Sequence, residues 1–532
     1  MPLRTHSGCG IRRSFTAILT AAITVATLEV ALKITAVLAE EDAVTSRLWG
    51  VAGELWSPQS RLPDFSFAGY RRGEEPYRIP RESISVKDYG AVGDGMTDDT
   101  ASFHRALEAG KGKLILIPAG RYVLNDLFRI EASGTVLRGA GPDSTILEFR
   151  KPGVELDPRP SRTDGGQSTS NWSWAGGLIA VGRGSLDVSR GIRVVSDETR
   201  GSSRLTLASL PFQAGDEIIL SLRDDDEKSL VRYLYRDQTG DVSGLNNWRV
   251  VQVFRVRRVE GNAVVLDRPL RFDVRTSWQP TVSRFVPSVT DVGIEEIGFE
   301  FPLTQYRGHF LEVGYNPVEI ARSAAHCWLR NLTIRNADSG PYVFGFFCTV
   351  EGIRLQADAE RLSSQGYAGH HGISLQGNDC LCKDFDVQTR FIHDLTVQSS
   401  IGCVFSRGKA VDLCMDHHRW ASYENLFTDI DAGLGRRLFA SSGGGNRGHH
   451  GGAGATFWNI RSARSTPWPN WQMDAINIVG VRIAEPSKVV PQLPEATDLN
   501  ARWLEAVEPE RLRPTNLYEA MQARRLTRES AP

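Results

Sequence analysis

Three residue types are scarce in this chain of 532 residues: methionine, with 5, cysteine, with 7, and histidine, with 11. Neither sign of charge is in excess, since 62 Lys and Arg stand against 63 Asp and Glu for a formal net charge of −1. That balance excludes an acidic disordered chain, and it argues against a nucleic-acid partner, because affinity for a polyanion would need a local basic cleft. The Gly-rich run at 443–452 lacks a following Gly-Lys-Ser/Thr, so it is not a nucleotide-binding loop. Cys380-Leu-Cys382 has no matching second pair, which argues against a four-thiolate zinc site.

What is abundant points to strands and turns. There are 51 Gly and 25 Pro, a balance that suits a turn-rich, strand-rich architecture better than a helical one. The length suits either several domains or one elongated repeat array, and the repeats described below favour the array. Residues 1–39 read as an export signal: Arg12-Arg13-Ser14-Phe15 opens an apolar run to Leu28, and Val37-Leu38-Ala39 precedes Glu40-Glu41-Asp42. The Arg-Arg-x-Phe pattern partly matches a twin-arginine signal. Glu29 and Lys33 interrupt the run and argue against an uncleaved membrane anchor. Removal near Ala39 would give a periplasmic or secreted protein with no stable membrane association. The six cysteines between Cys327 and Cys414 are then open to two readings, up to three disulfides or thiols buried in a stacked core.

Residues 40–83 form a polar, Pro-bearing N-terminal arm. From 84 to 150 the pattern sharpens. Ile84-Ser-Val86 is a short strand, Gly93-Asp94-Gly95 a turn that needs positive φ, and Phe103, Ala106 and Leu107 mark one face of a helix capped by Thr97 or Asp98. Leu114–Ile117 and Arg121–Leu124 are strands flanking Pro118-Ala-Gly120. The segment Val86-Lys-Asp-Tyr-Gly-Ala-Val-Gly-Asp-Gly-Met-Thr-Asp-Asp-Thr100, continuing through Pro118-Ala-Gly-Arg-Tyr122, resembles the opening of the pectate lyase superfamily in its rhamnogalacturonase/epimerase-like branch. The resemblance implies an all-β fold, a single-stranded right-handed parallel β-helix whose first coils carry an N-terminal capping helix. It implies a scaffold and not a reaction. Asp94, Asp98 and Asp99 are explained by turn and cap duty.

Residues 151–285 read as a β-rich insertion. From 286 to 460 a short strand motif recurs, as in Leu329–Ile334, Val350–Leu355, His393–Val397 and Phe457–Ile460, at separations that fit turns of one solenoid. The outward faces of successive coils align into a groove suited to an extended polymer. Residues 461–532 read as a Pro-rich linker and a terminal cap over the last coil, with an amphipathic helix around Leu517–Leu526.

Candidate chemistry concentrates between Gly366 and Gly454, which holds three adjacent histidine pairs: His370-His371, His417-His418 and His449-His450. Strand alternation places His370, Asp416 and His418 outward and His371 and His417 inward with Ile373 and Met415. A turn near Asp416 would void that parity, so His417 and Arg419 remain candidates. Asp416 and His418 form a potential carboxylate–imidazole dyad. By parity His393 belongs to the core. The catalytic set is therefore His370, His371, Asp416, His417, His418 and Arg419, with Arg447, His449, His450 and Tyr423 as substrate-binding candidates. The sequence requires no cofactor and leaves room for a divalent cation. These residue types suit a polysaccharide lyase that cleaves a uronate-containing substrate by β-elimination. One alternative is a glycoside hydrolase using two of Asp412, Asp416, Asp429 and Asp431, although the paired-Asp motif of polygalacturonase-like relatives is not visible. The other is a non-catalytic glycan-binding β-helix.

Overall fold

The structure, a computed structural model, describes Met1 and residues 43–188 and 190–529. The export signal read over residues 1–39 thus lies, Met1 apart, outside the described residues. Among the described residues no helix is long and apolar enough to cross a membrane.

The chain winds into a parallel β-helix. Trp328, Thr349, Leu381, Val404, Leu426 and Thr456 each pair in parallel with the next, one coil apart. One residue further along each strand lies an inward column of Leu329, Val350, Cys382, Phe405, Phe427 and Phe457. Alternation sends one column into the core and its neighbour out. The Phe405 and Phe427 rings stack at 5.0 Å and Phe427 and Phe457 at 5.4 Å, each ring fully buried. Burial of each such side chain stabilises the fold by about 1.5–3 kcal/mol. From Gly293 to Val481 the coils of this long sheet also bend at one left-handed residue each: Glu296, Asn331, Gly352, Asp384, Arg407, Asp429, Asn459 and Gly480 occupy equivalent positions with φ between 49° and 66°. Gly, Asn and Asp, which tolerate that region, hold six of these eight positions.

A second, seven-stranded sheet runs along another face, from Phe128–Ile130 through Ile179–Val181, Val318–Ile320 and Tyr342–Val343. It ends in three strands named here β1 (Gly369–Leu375), β2 (Phe391–Val397) and β3 (Met415–His417). Ile179–Val181 pairs in parallel on both sides and so belongs to the coils, although it falls within the 151–285 window. The rest of that window holds a six-stranded antiparallel sheet between Ile192 and Arg284. Buried ion pairs lock it onto the coils: Asp379 receives Arg268 at 2.7 Å and Arg271 at 2.8 Å, while Glu424 receives Arg271 and Arg200, each at 3.1 Å. Each acid carries two arginines, because a buried charge without its partners is strongly destabilising.

The coils continue past Ile460, through Asn477–Val481 and Trp503–Glu505. The C-terminal helix, Leu517–Glu529, lies on the side of the long sheet and not over the last coil. Its Leu517 N–H donates to Thr428 Oγ1 at 3.1 Å, and Tyr518 OH to the Ala68 carbonyl at 2.9 Å. The reason is the outward column there, where Leu381, Val404 and Leu426 are apolar and are covered by Leu517, Leu62 and Phe65. In the first half, the helix Thr100–Ala109 packs Phe103 against Tyr122 and Phe128.

The cysteine question resolves to thiols. All six between Cys327 and Cys414 are free and buried. Cys327, Cys348, Cys380 and Cys403 each follow by two residues a chain of parallel bridges through Ala325, Phe346, Asn378 and Ile401, so they stack as one column along the coils. Burial inside this column keeps them from solvent oxidants. In the native protein these six thiols will not react with an aromatic disulfide reagent, whereas all six will react after denaturation without reductant; fewer in the denatured protein would mean disulfides.

Candidate active site

The candidate site lies on the last three strands of the seven-stranded sheet. In β3 alternation holds. Asp416 continues an outer column with Thr396 and Ser374, while His417 stacks inward on Val397 and Leu375. The His417 ring sits among Phe427, Phe457 and Trp471, and neither of its nitrogens has a partner among the described residues. It is a core residue, which removes it from the catalytic set.

In β1 alternation fails. Pairing with β2 is interrupted at His370 and Gly372, and the rings of His370 and His371 approach to 4.1 Å although neighbours in a regular strand point to opposite faces. Gly372 permits the close approach: a Cβ there would meet the Asp394 carbonyl oxygen at 2.2 Å. His371 and His393, paired in register, therefore both join the cluster, with rings 4.9 Å apart. The inward assignments of His371 and His393 are corrected accordingly.

Asp416 is the hub. Its Oδ2 lies 2.6 Å from His418 Nδ1 and 3.1 Å from His393 Nδ1, and its Oδ1 accepts the Ser442 N–H at 3.0 Å. Burial alone would raise this carboxyl, but His418 and His393 outweigh it and draw it down to about 2. Burial, and secondarily the neighbouring imidazoles, hold His370 and His371 well below the usual histidine range. The same burial takes His393 to about 3. His418, whose side chain is 17% exposed, is engaged through Nδ1 by Asp416.

A fifth ring comes from outside the 366–454 window. His309 lies at the outer edge with its ring 4.4 Å from His370 and 5.9 Å from His393. It sits on an irregular loop, 302–316, that Asp338 and Arg361 pin in place. Asp338 Oδ2 accepts the N–H groups of Val313, Gly314 and Tyr315. Arg361 binds Asp338 Oδ1 at 2.6 Å and the Thr304 carbonyl at 3.1 Å. The same loop sets Glu312 behind His370, at 3.5 Å from its Nδ1, where burial lifts the carboxyl to about 7. One ligand atom each from His309, His370 and His393, and likewise from His393, Asp416 and His418, lie within 4.8 Å of one another, close enough to share a metal ion.

The remaining candidates are placed elsewhere. The Gly-rich loop reaches the cluster through Ser442, whose Oγ is 3.4 Å from His393 Nε2. Its Arg447 is turned away into a bidentate pair with Asp164 and over the Trp420 ring at 4.4 Å. Arg419 donates to the Gly448 carbonyl. The His449 backbone is bonded to Thr239, and His450 Nδ1 lies 3.1 Å from the His417 carbonyl. Tyr423 is buried with its OH on the Arg271 carbonyl. Asp412 is held by Arg436, Asp429 by Arg461, and Asp431 by the Gly433 N–H. The latter two belong to the long sheet, so of the four carboxylates only Asp416 reaches the cluster.

The fold is a parallel β-helix, and one of its sheets carries this histidine–carboxylate cluster. Residues 83–167 match the family described as Rhamnogalacturonase A/epimerase, pectate lyase-like, so the resemblance carried by Val86–Tyr122 is to a carbohydrate-active β-helix family. Over 66 residues, 12% of this chain, it is 42% identical to the pre-neck appendage protein of Bacillus phage B103. Over 97 residues, 16% of the chain, it is 32% identical to mannuronan C5-epimerase AlgE4 of Azotobacter vinelandii. These matches span 7% and 18% of those two proteins. Among solved structures, tailspike gp49 of Pseudomonas phage LKA1 matches over 74% of this chain and 64% of its own, at 14% identity and a TM-score of 0.39.

His417 makes the local electrostatics testable. Burial lowers its ring to about 4. A depressed histidine contributes stability that is present above its unfolded value and is lost as pH falls through the folded one, since the unfolded chain then binds the extra proton. His417→Phe will therefore remove roughly 3 kcal/mol of the stability lost between pH 7 and pH 3. Denaturant titrations of both proteins across that range check it; parallel stability–pH curves would contradict the burial of a neutral ring.

Proposed function

We propose that this protein is an exported carbohydrate-active enzyme that cleaves a uronate-containing polysaccharide by β-elimination, with His418 as the base. The observation that carries the reading is the Asp416–His418 dyad at 2.6 Å, in which Asp416 is buried and the His418 side chain keeps some exposure. A buried, ionised carboxylate on Nδ1 fixes the tautomer that leaves a lone pair on Nε2 and stabilises the imidazolium formed when a proton is taken. The proton next to a uronate carboxylate is the one that elimination requires, and its removal generates negative charge that a nearby cation must offset. Hydrolysis by two carboxyl groups is less favoured, because Asp412, Asp429 and Asp431 are each committed to other groups. The match to a C5-epimerase of a uronate polymer supports the substrate class.

The test is incubation with a panel of uronate-containing and neutral polysaccharides, following reducing ends together with the ultraviolet absorbance of unsaturated uronates. The expected outcome is that both rise on an acidic polymer, and that His418→Ala and Asp416→Asn each lower kcat by about 100- to 10,000-fold. Reducing ends without absorbance would mean hydrolysis. Glycan binding with neither signal would mean a non-catalytic β-helix.

A further inference from the structure

We propose that His309, His370 and His393 form a binding site for a divalent ion of the zinc class. One candidate ligand atom from each lies within 4.8 Å of the others. Three imidazole nitrogens on one ion at 2.0–2.1 Å are about 3.4 Å apart, so small ring rotations close the set. The rings come from separate parts of the fold, a pinned loop, β1 and β2, and a fold that needed only a packed core would not fill this space with imidazole.

A second observation points to a ligand. His370 is 1% exposed, and neither of its ring nitrogens makes a hydrogen bond of good geometry among the described residues. Buried polar atoms are ordinarily satisfied, so an unpartnered buried imidazole set among candidate ligand atoms marks a missing partner. The donor set selects the ion, because three imidazoles suit zinc and its neighbours, whereas calcium and magnesium demand oxygen. The surroundings match metal sites, in which outer groups orient the ligands. Glu312 stands 3.5 Å from His370 Nδ1, and Asp416 Oδ2 stands 3.1 Å from His393 Nδ1. Three protein ligands leave a fourth position open, and His309 places it at the solvent edge. An ion there would supply positive charge beside His418, which matters because the nominated arginines are engaged: Arg419 on Gly448 and Arg447 on Asp164. This role, unlike the binding itself, rests on the proposed elimination.

The test uses the purified full-length chain, stripped with a chelator and titrated calorimetrically with zinc chloride and, separately, calcium chloride; bound metal is then counted by mass spectrometry after dialysis. One equivalent of zinc should be retained and calcium should not bind at this site. His309→Ala, at the loop edge, and His370→Gln, which preserves volume, should each weaken zinc binding more than about tenfold while circular dichroism stays unchanged. Substoichiometric zinc, or equal affinity in both folded variants, would overturn the site. Zinc bound without any elimination would sustain the site and overturn the reaction, and elimination that survives chelation in a protein that binds no zinc would do the reverse.

Discussion

The structure around the site depends on one buried charge. Asp416 is fully enclosed yet ionised, and it remains so because two imidazoles and one backbone N–H converge on it. An isolated carboxylate in such a place would protonate or destabilise the fold. Its two oxygens divide the work. Oδ2 gathers His418 from beyond β3 and His393 from β2, and Oδ1 ties down Ser442, where the Gly-rich loop enters. The placement of that loop at Ser442, the tautomer of His418 and the packing of His393 against His371 thus share one anchor.

The same economy recurs where the insertion meets the coils. Asp379 and Glu424, both at left-handed turns, each hold two arginines of the insertion. The insertion then grips the far half of the Gly-rich loop, through Tyr235 OH on the Arg447 and His449 carbonyls and Gly448 N–H on Asp241. That grip explains why Arg447 and His449 do not face the cluster. Their backbone is consumed by the insertion, while Ser441 and Ser442 bond to β3 at His417 and Asp416.

The parallel coils and the histidine-rich window were legible because both are periodic. Regular alternation correctly sorted Asp416 outward and His417 inward, since β3 pairs without a break. It misplaced His371 and His393 because Gly372 lets two strands approach closely enough to distort β1, and a glycine in a strand does not announce which way its neighbours turn. His309 and Glu312 carried no local signal. They reach the site through a loop without repeating pattern, held by Arg361 and Asp338 from coils further along the chain. Arg447 and Tyr423 were reasonable as chemical types, but their partners, Asp164 and Arg271, lie 283 and 152 residues away. Long-range pairing of that kind leaves no trace in spacing.

The central claim is that Asp416 holds His418 with its proton on Nδ1 and its lone pair on Nε2. Nitrogen-15 NMR of the histidine rings, with His418 assigned by substitution, reads this directly at neutral pH. The account predicts a protonated Nδ1, with its proton shifted strongly downfield by the carboxylate, and a bare Nε2. A proton on Nε2 with Nδ1 bare would contradict it.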